Sequence, residues 1–440
     1  MIRRIKGTRD IYMDEVTYWH YVEEIIYDLT KKYAFQEIRT PIFEATQLFK
    51  RSVGEYTDVV QKEMYTFEDK GGRSITLRPE GTASIARAYI ENGFINFGSP
   101  LKLFYVGPMF RYEKPQAGRL RQFHQFGIET LGSEDPEADF EIIDFSVSFV
   151  KALGINDFKL LINSVGCEKC RPEYRKALKN YYSGKFDKIC DDCKKRYETN
   201  VLRLLDCDKD REIAKKAPSI HDYLCDECSE HFDKLIHLLK ENDISFTIDE
   251  SLVRGLDYYT KTAFEIRSNT LGGQDQILGG GRYDCLIEQI GGKSVPAVGF
   301  AAGLDRIILL LKKEEIAPEN KEKPDIAVLA IDEMAKKESF KIAEYLREKD
   351  FSVFVDVVNR NVGNKLKHAS RIGTPISIIL GENEIKSGEI SIKNMNSGEQ
   401  KNIPLEEASK YLMDMLKRKK VDNRERFGLY KQGNNSKRKK

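Results

Sequence analysis

The sequence has almost no excess charge of either sign: 72 Lys and Arg stand against 70 Asp and Glu, a formal net charge of +2 over 440 residues. No global field therefore draws the chain to nucleic acid, and only local basic patches can do so. Long hydrophobic runs are also missing. The strongest are interrupted by Pro296, Asp305 or Arg306, well short of the roughly 20 apolar residues that span a bilayer. The opening residues, MIRRIKGTRD, contain no apolar core of the kind a secretory signal needs. Cysteine is scarce outside one segment: seven of the eight lie between Gly166 and Asn242, six of them as C-x-x-C pairs. In an intracellular chain such pairs point to reduced thiols or metal rather than disulfides. What remains is a cytoplasmic protein with no membrane partner, too long for a single core.

What is present is a change of texture along the chain. Residues 13–34 carry apolar side chains at helical spacing through Val16, Trp19, Val22, Ile25, Ile26 and Leu29. IRTPIFEATQLF reads as a strand, and Pro41 within it marks an edge, a bulge or a subunit contact. RSITLRPEGTASIARAYIE predicts strand, turn and helix, and KLFYVGPMFRYE and RLRQFHQFGIETLG predict a hairpin around KPQAGR. EADFEIIDFSVSFVKALG predicts a helix stopped by Gly154. Residues 166–245 form a helix-prone, Cys-rich insertion, because the earlier style resumes at FTIDESLVRGLDYY and continues to about 320. Beyond the charged linker KKEEIAPENKEKPD, strands such as DIAVLAI, FSVFVDV and PISIILG alternate with helices, giving a terminal α/β domain over 324–420. Residues 421–440 are a basic, apolar-poor tail whose Lys437, Arg438, Lys439 and Lys440 either add RNA affinity or are inert.

The chemistry concentrates in FRYEKPQAGRLRQFHQFGIET, residues 110–130. On a strand Gln125, Gly127 and Glu129 share one face, while His124, Phe126, Ile128 and Thr130 share the other. The first set reads as the floor of a polar pocket, with the glycine leaving room for a ligand. A water-facing side of an antiparallel sheet would show the same alternation. Arg111, Arg119 and Arg121 crowd the neighbouring positions, and a guanidinium fork matches phosphate oxygens at any working pH. A carboxylate row beside such a cluster suits a ligand carrying both an ammonium group and a polyphosphate. Glu80, Gly81 and Thr82 in LRPEGTA, and Arg254, Tyr258 and Tyr259 in LVRGLDYY, have the same character. GGGRYD admits close backbone approach to a nucleotide, though it is neither a Walker P-loop nor a dinucleotide fingerprint. Arg306 enters a strongly apolar helix in GLDRIILLL, an expensive position unless its head group finds a partner such as a phosphate.

Together these segments resemble the histidyl-tRNA synthetases of class II. The resemblance runs from IKGTRD to about Lys420. TPIFE is similar to the family's first motif, which forms the dimer interface around Pro41; FRYEKPQAGRLRQFHQFGIE is similar to the second and GFAAGLDR to the third. LVRGLDYY and GGGRYD resemble segments particular to the histidyl enzymes. The resemblance implies an α+β fold: a six- or seven-stranded antiparallel catalytic sheet over 1–165 and 246–320, the helical insertion, and a C-terminal anticodon-binding domain. It implies that L-histidine is held by Glu80, Gly81, Thr82, Gln125 and Glu129, with Tyr258 and Tyr259 near its imidazole. Arg111 is implied for the α-phosphate of ATP, Arg306 for the γ-phosphate, and Arg254 for the α-phosphate and the substrate carboxylate, with Mg2+ accompanying ATP. Gln116 and Arg119 are implied to reach the acceptor end of tRNA(His), and the chain to act as a homodimer. Such chemistry needs positioning and charge stabilisation rather than a protein nucleophile.

Cys167–Cys170, Cys190–Cys193 and Cys225–Cys228 have the spacing of tetrahedral zinc ligands, and any two pairs would complete a site. Structural zinc is expected on Cys190, Cys193, Cys225 and Cys228, with Cys207 alone; reduced thiols in a helical insertion are the alternative. Lys365, Lys367, His368 and Arg371 fall on one basic helix that either meets RNA phosphates or is simply solvated. Cys285 stands where the family usually has Gly. A histidine-sensing regulatory relative would keep the fold without the activity, but such proteins tend to lose the anticodon domain and the LVRGLDYY arginine, and this chain has both.

Overall fold

The computed structural model describes residues 2–54, 57–207, 209–318 and 323–416. The basic tail and the last residues of the expected terminal domain lie outside them. Two compact units divide between Glu319 and Asn320.

The first unit is built on an eight-stranded sheet. Its order is Gln36–Glu37, Leu101–Phe110, Gln122–Leu131, Ala297–Gly303, Gln276–Arg282, Thr260–Arg267, Lys159–Ser164 and Thr247–Ile248. The six inner strands are antiparallel, and the two-residue strands at either edge pair in parallel. The expected six or seven strands are thus extended by short edges whose sequence carries no period of its own. One face is the core. Phe126 and Ile128 point into it and are fully buried, Phe126 meeting Phe149 at 5.2 Å and Phe300 at 5.7 Å between ring centroids. Burying one such side chain contributes about 1.5–3 kcal/mol. Helices Asp14–Lys32, Pro136–Ala152, Asp226–Glu241 and Leu304–Lys313 cover this face. Pro136 occupies the first turn of its helix, where no N–H is needed, and Gly154, at φ +84°, ends it.

The IRTPIFEATQLF segment departs from its sequence reading. Only Phe43–Ala45 is a strand, on the edge of a small antiparallel sheet, and Thr46–Val53 is a helix. Pro41 lies in the link before that strand. Having no N–H to place in a ladder, the link uses its carbonyls instead, and buried Arg78 donates to Thr40 O at 3.0 Å and to Pro108 O at 2.9 Å. The insertion contains helices Arg171–Ser183, Asp191–Thr199 and Asp226–Glu241, with its own apolar cluster around Tyr174, Leu178, Tyr182 and Leu204.

The second unit carries a mixed five-stranded sheet in the order Val353–Val355, Ile326–Ala330, Ile376–Leu380, Glu389–Asn394 and Gln400–Pro404. The first three strands are parallel, joined by helices; the last two form an antiparallel extension. The basic helix is Val362–Arg371, but its four basic residues do not share a face. Lys365 is buried and donates to Ala330 O at 2.8 Å, and His368 packs on Phe354 at 5.3 Å. Lys367 and Arg371 are exposed.

Candidate active site

A cleft of about 770 Å³ opens on the face of the large sheet away from the core helices. Its floor is made of small residues, and long side chains from neighbouring positions occupy the space they leave. A Cβ on Gly127 would lie 2.5 Å from the Tyr105 ring, one on Gly279 2.4 Å from Arg254 Nη1, and one on Gly299 1.8 Å from Glu129 Oε2. The room over Gly127 that the sequence offers to a ligand is therefore filled by the phenol of Tyr105, its direct partner across the hairpin. That hydroxyl is buried without a hydrogen-bond partner, as is Gln125 Oε1, and both are features of a surface shaped for a polar ligand.

The carboxylate end of the cleft centres on Glu129. Thr82 Oγ1 donates to its Oε1 at 2.7 Å and the Tyr283 hydroxyl to its Oε2 at 2.6 Å. Burial raises its pKa to about 8, with those two hydrogen bonds pulling the other way. Glu80 is also buried. Its oxygens accept the N–H groups of Thr82 at 2.8 Å and Ala83 at 2.9 Å, so it caps the helix Thr82–Glu91 as well as lining the cleft. Gly81 lies against the same Tyr105 ring. Tyr258 stacks at 4.7 Å on Tyr259 and at 5.7 Å on Tyr283, closing an aromatic wall.

The cationic end is short of counter-charge. Arg111 donates to Pro79 O at 2.9 Å and stands 3.9 Å from Glu113, which is 3.6 Å from Arg119 as well. Among the described residues, the hydrogen-bond partners of Arg306 are carbonyls, Gly118 O at 3.3 Å and Gln276 O at 3.2 Å. Burial, with Arg119 adding to it, draws its pKa below the usual arginine range. Arg254 lies over the middle of the floor, paired with Glu265 and 5.6 Å above the Tyr259 ring. Gln116 and Arg119 pair in a tight turn, each backbone N–H donating to the other's carbonyl at 3.0–3.1 Å. Arg119 lines the cleft, whereas Gln116 sits outside it.

This geometry coincides with matches along the chain to known proteins. The family model for histidyl-tRNA synthetase matches residues 7–307, and that for an anticodon binding domain matches residues 325–415. The chain belongs to the histidyl-tRNA synthetase family. A relative named histidine–tRNA ligase from Thermosipho melanesiensis is 53% identical over 400 residues, 91% of this chain and 96% of the relative. One of the same name from Thermotoga maritima is 50% identical over 414 residues, 94% of this chain and 99% of the relative. The crystal structure of apo S. aureus histidyl-tRNA synthetase superposes with a TM-score of 0.79 at 36% identity, covering 94% of this chain and all of that one.

Several residues of this synthetase's cleft carry no signal in a single sequence. Tyr105 and Tyr283 are tyrosines among 21, although counting the hairpin register from its turn places Tyr105 opposite Gly127. Glu265 is legible only once Arg254 is seen to need a buried partner. The insertion also reaches the cleft: Lys195, Arg196 and Arg203 line it, Arg196 pairs with Asp58 at 3.2 Å and Asn200 donates to Asp257 at 2.7 Å. The expected quartet Cys190, Cys193, Cys225 and Cys228 is not brought together. Cys225 and Cys228 meet Cys167 and Cys170, while Cys190 and Cys193 meet Cys207 and Asp210.

Proposed function

We propose that this aminoacyl-tRNA ligase activates L-histidine with ATP in the cleft and transfers the histidyl group to the 3′ end of tRNA(His). The observation that carries this reading is the pairing, in one cleft, of a buried carboxylate–tyrosine pocket with a cluster of arginines, Arg111, Arg119 and Arg306, that has Glu113 as its nearest carboxylate. The histidine ammonium sits at Glu129, Glu80 and Thr82, and the imidazole at Tyr258, Tyr259 and Gln125. The substrate carboxylate attacks the α-phosphorus in line and pyrophosphate leaves. Arg111 and Arg254 hold the α-phosphate, Arg254 also holds the attacking carboxylate, and Arg306 takes the γ-phosphate. Charge that builds on these oxygens meets guanidinium groups already in place, which removes the cost of reorganising solvent. The terminal ribose hydroxyl of the tRNA then attacks the acyl carbon, AMP departs, and the turn at Gln116 and Arg119 guides the acceptor end.

Mg2+ accompanies ATP in aminoacyl-tRNA synthetases generally. An ion held mostly by phosphate oxygens needs one or two protein carboxylates, and Glu113, with arginines no nearer than 3.6 Å, fits that requirement. When bound it neutralises the departing pyrophosphate. The homodimer is assigned to the segment around Pro41, where Ile42, Phe43 and Phe67 are exposed apolar side chains. A monomer in sedimentation velocity at micromolar concentration would remove that assignment. Among the described residues no helix is long and apolar enough to cross a membrane.

The deciding test is ATP–pyrophosphate exchange with each standard amino acid in the absence of tRNA. Histidine alone is expected to support exchange, because buried polar groups left unpaired by an apolar side chain reject it strongly. Exchange driven by another amino acid would overturn the pocket assignment.

Glu129 supplies a second expectation. With a pKa of about 8 its carboxyl is largely protonated near pH 7, and an ammonium group placed against it favours the charged form. Histidine binding at pH 7 is therefore expected to release up to about one proton. Calorimetry in buffers of different ionisation enthalpy reads this directly, and Glu129→Gln should abolish the release. A buffer-independent binding enthalpy for the unaltered protein would contradict it.

A further inference from the structure

The insertion's seven cysteines fall into two tight groups. Cys167 and Cys170 precede helix Arg171–Ser183, and Cys225 and Cys228 open helix Asp226–Glu241. Cys190 and Cys193 open helix Asp191–Thr199, with Cys207 and Asp210 in the segment that follows it. In each group the four ligand atoms lie within 4.8 Å of one another. The Cys167 sulfur is 3.6 Å from that of Cys170 and 3.8 Å from that of Cys225, and the Cys190 sulfur is 3.7 Å from that of Cys207. A disulfide would bring sulfurs to about 2.05 Å, and all eight cysteines are free. Four thiolates at about 2.3 Å around a tetrahedral ion stand about 3.8 Å apart along each edge. These three separations are close to that value, and the other ligand atoms of each group lie within 4.8 Å.

Backbone groups are arranged in the same sense. The Cys225 N–H donates to the Cys170 sulfur at 3.1 Å, tying the two pairs of that group together, and the Cys190 N–H donates to Asp210 Oδ2 at 3.0 Å, turning that carboxylate toward the cysteines. Cys170 and Cys228 in one group, and Cys193, Cys207 and Asp210 in the other, are buried, where water has poor access.

We propose that the insertion binds two mononuclear zinc ions, one on Cys167, Cys170, Cys225 and Cys228, the other on Cys190, Cys193, Cys207 and Asp210. Zinc is the ion that tetrahedral thiolate-rich sites select without redox chemistry. The first ion clamps the insertion's root, joining the point where the chain leaves strand Lys159–Ser164 to the helix that leads back to the sheet. Arg171, one residue beyond that clamp, donates to Val165 O and to the carbonyl of Tyr259, so the root is tied to the aromatic wall of the amino-acid pocket. The second ion fixes the helix that presents Lys195 and Arg196 to the cleft and leads into Asn200 and Arg203. Its carboxylate ligand makes it the harder and more weakly held site, the first to yield to a chelator.

Elemental analysis of the full chain, expressed with zinc and purified anaerobically without chelator, is expected to give two zinc ions per chain. The double variants Cys190→Ser/Cys193→Ser and Cys225→Ser/Cys228→Ser should each retain one. Cobalt(II) in place of zinc should show thiolate charge-transfer absorption and tetrahedral ligand-field bands in both. One ion or fewer in the unaltered chain, or loss of both ions from either variant, overturns the two-site assignment. Should a variant fail to fold, alkylation of the unaltered chain decides alone. Cys285 lies outside both groups and is an internal control, reacting at one rate with or without chelator. The other seven are expected to be protected until zinc is removed, and seven cysteines that react equally fast in both states would refute the proposal.

Discussion

Arg254→Ala is expected to lower histidine-dependent ATP–pyrophosphate exchange by about 10²–10³-fold, the cost of removing one preorganised charge-stabilising group from a closed site. The effect should appear in kcat more than in the KM for histidine, because the guanidinium acts on charge that grows during attack. The fold should survive. Arg254 is paired with Glu265, and that carboxylate keeps Arg267 at 2.7 Å when Arg254 is removed, so no buried charge is stranded. Arg254→Lys restores charge without the planar fork and should recover only part of the rate. Exchange near the unaltered rate in Arg254→Ala would end the proposed role.

The largest effect on stability is expected at Arg282, within GGGRYD. Its side chain and that of Asp139 are both fully buried. Arg282 Nε donates to Asp139 Oδ2 at 3.0 Å, Nη1 to Ser133 O at 2.7 Å and to Asp284 at 3.1 Å, and Nη2 to Asp135 O at 3.0 Å. Arg282→Met removes these donors and strands Asp139, with His231 at 3.4 Å its remaining partner. A loss of about 3–5 kcal/mol is expected, visible as an earlier melting transition of the first unit.

The pH dependence follows from Asp139. Burial alone would raise its pKa, but the Arg282 charge outweighs burial and holds it at about 2. Against an unfolded value near 3.9, this depressed pKa gives stability that is complete above about pH 4 and is lost as pH falls through 2, on the order of 2–3 kcal/mol. Arg282→Met should lack that acid-dependent decline. Equal melting of the variant and the unaltered protein would show that the pair contributes nothing net.

The sequence is most legible where chemistry and local periodicity coincide. Arg111, read from the sequence as part of the first hairpin strand, lies just beyond that strand's end at Phe110, whereas Gln125 and Glu129 fall on one strand and both line the cleft because a two-residue alternation decides which way they face. Glu80 and Thr82 were legible for the same local reason. Arg282 was not: its glycine-rich setting suggests a nucleotide, and only the fold reveals that its guanidinium passes to the core side and meets Asp139. Lys365 belongs to the same class, since a basic helix cannot announce which of its cations will thread inward to a carbonyl. The C-x-x-C steps mark pairs but not partners, because which pairs meet depends on how the insertion's helices return to their root. The cleft wall built by Arg196 and Arg203 was illegible for that reason too.

The order of strands in the large sheet bears on how the protein is made. Gln122–Leu131 lies between Leu101–Phe110, its immediate predecessor, and Ala297–Gly303, which arrives far later in the chain. A ribosome therefore delivers the arginine hairpin and the whole insertion before the strand that completes the floor, and long-range pairing of this kind is the slow part of folding. Until Ala297–Gly303 docks, Glu129 lacks the strand that covers it on that side in the folded protein. The burial that raises its pKa, the glycine that lies against it and the tyrosine that donates to it all arrive together in the final stretch of the first unit. Translation thus yields a nascent chain that carries the arginine hairpin well before it possesses the finished carboxylate–tyrosine pocket.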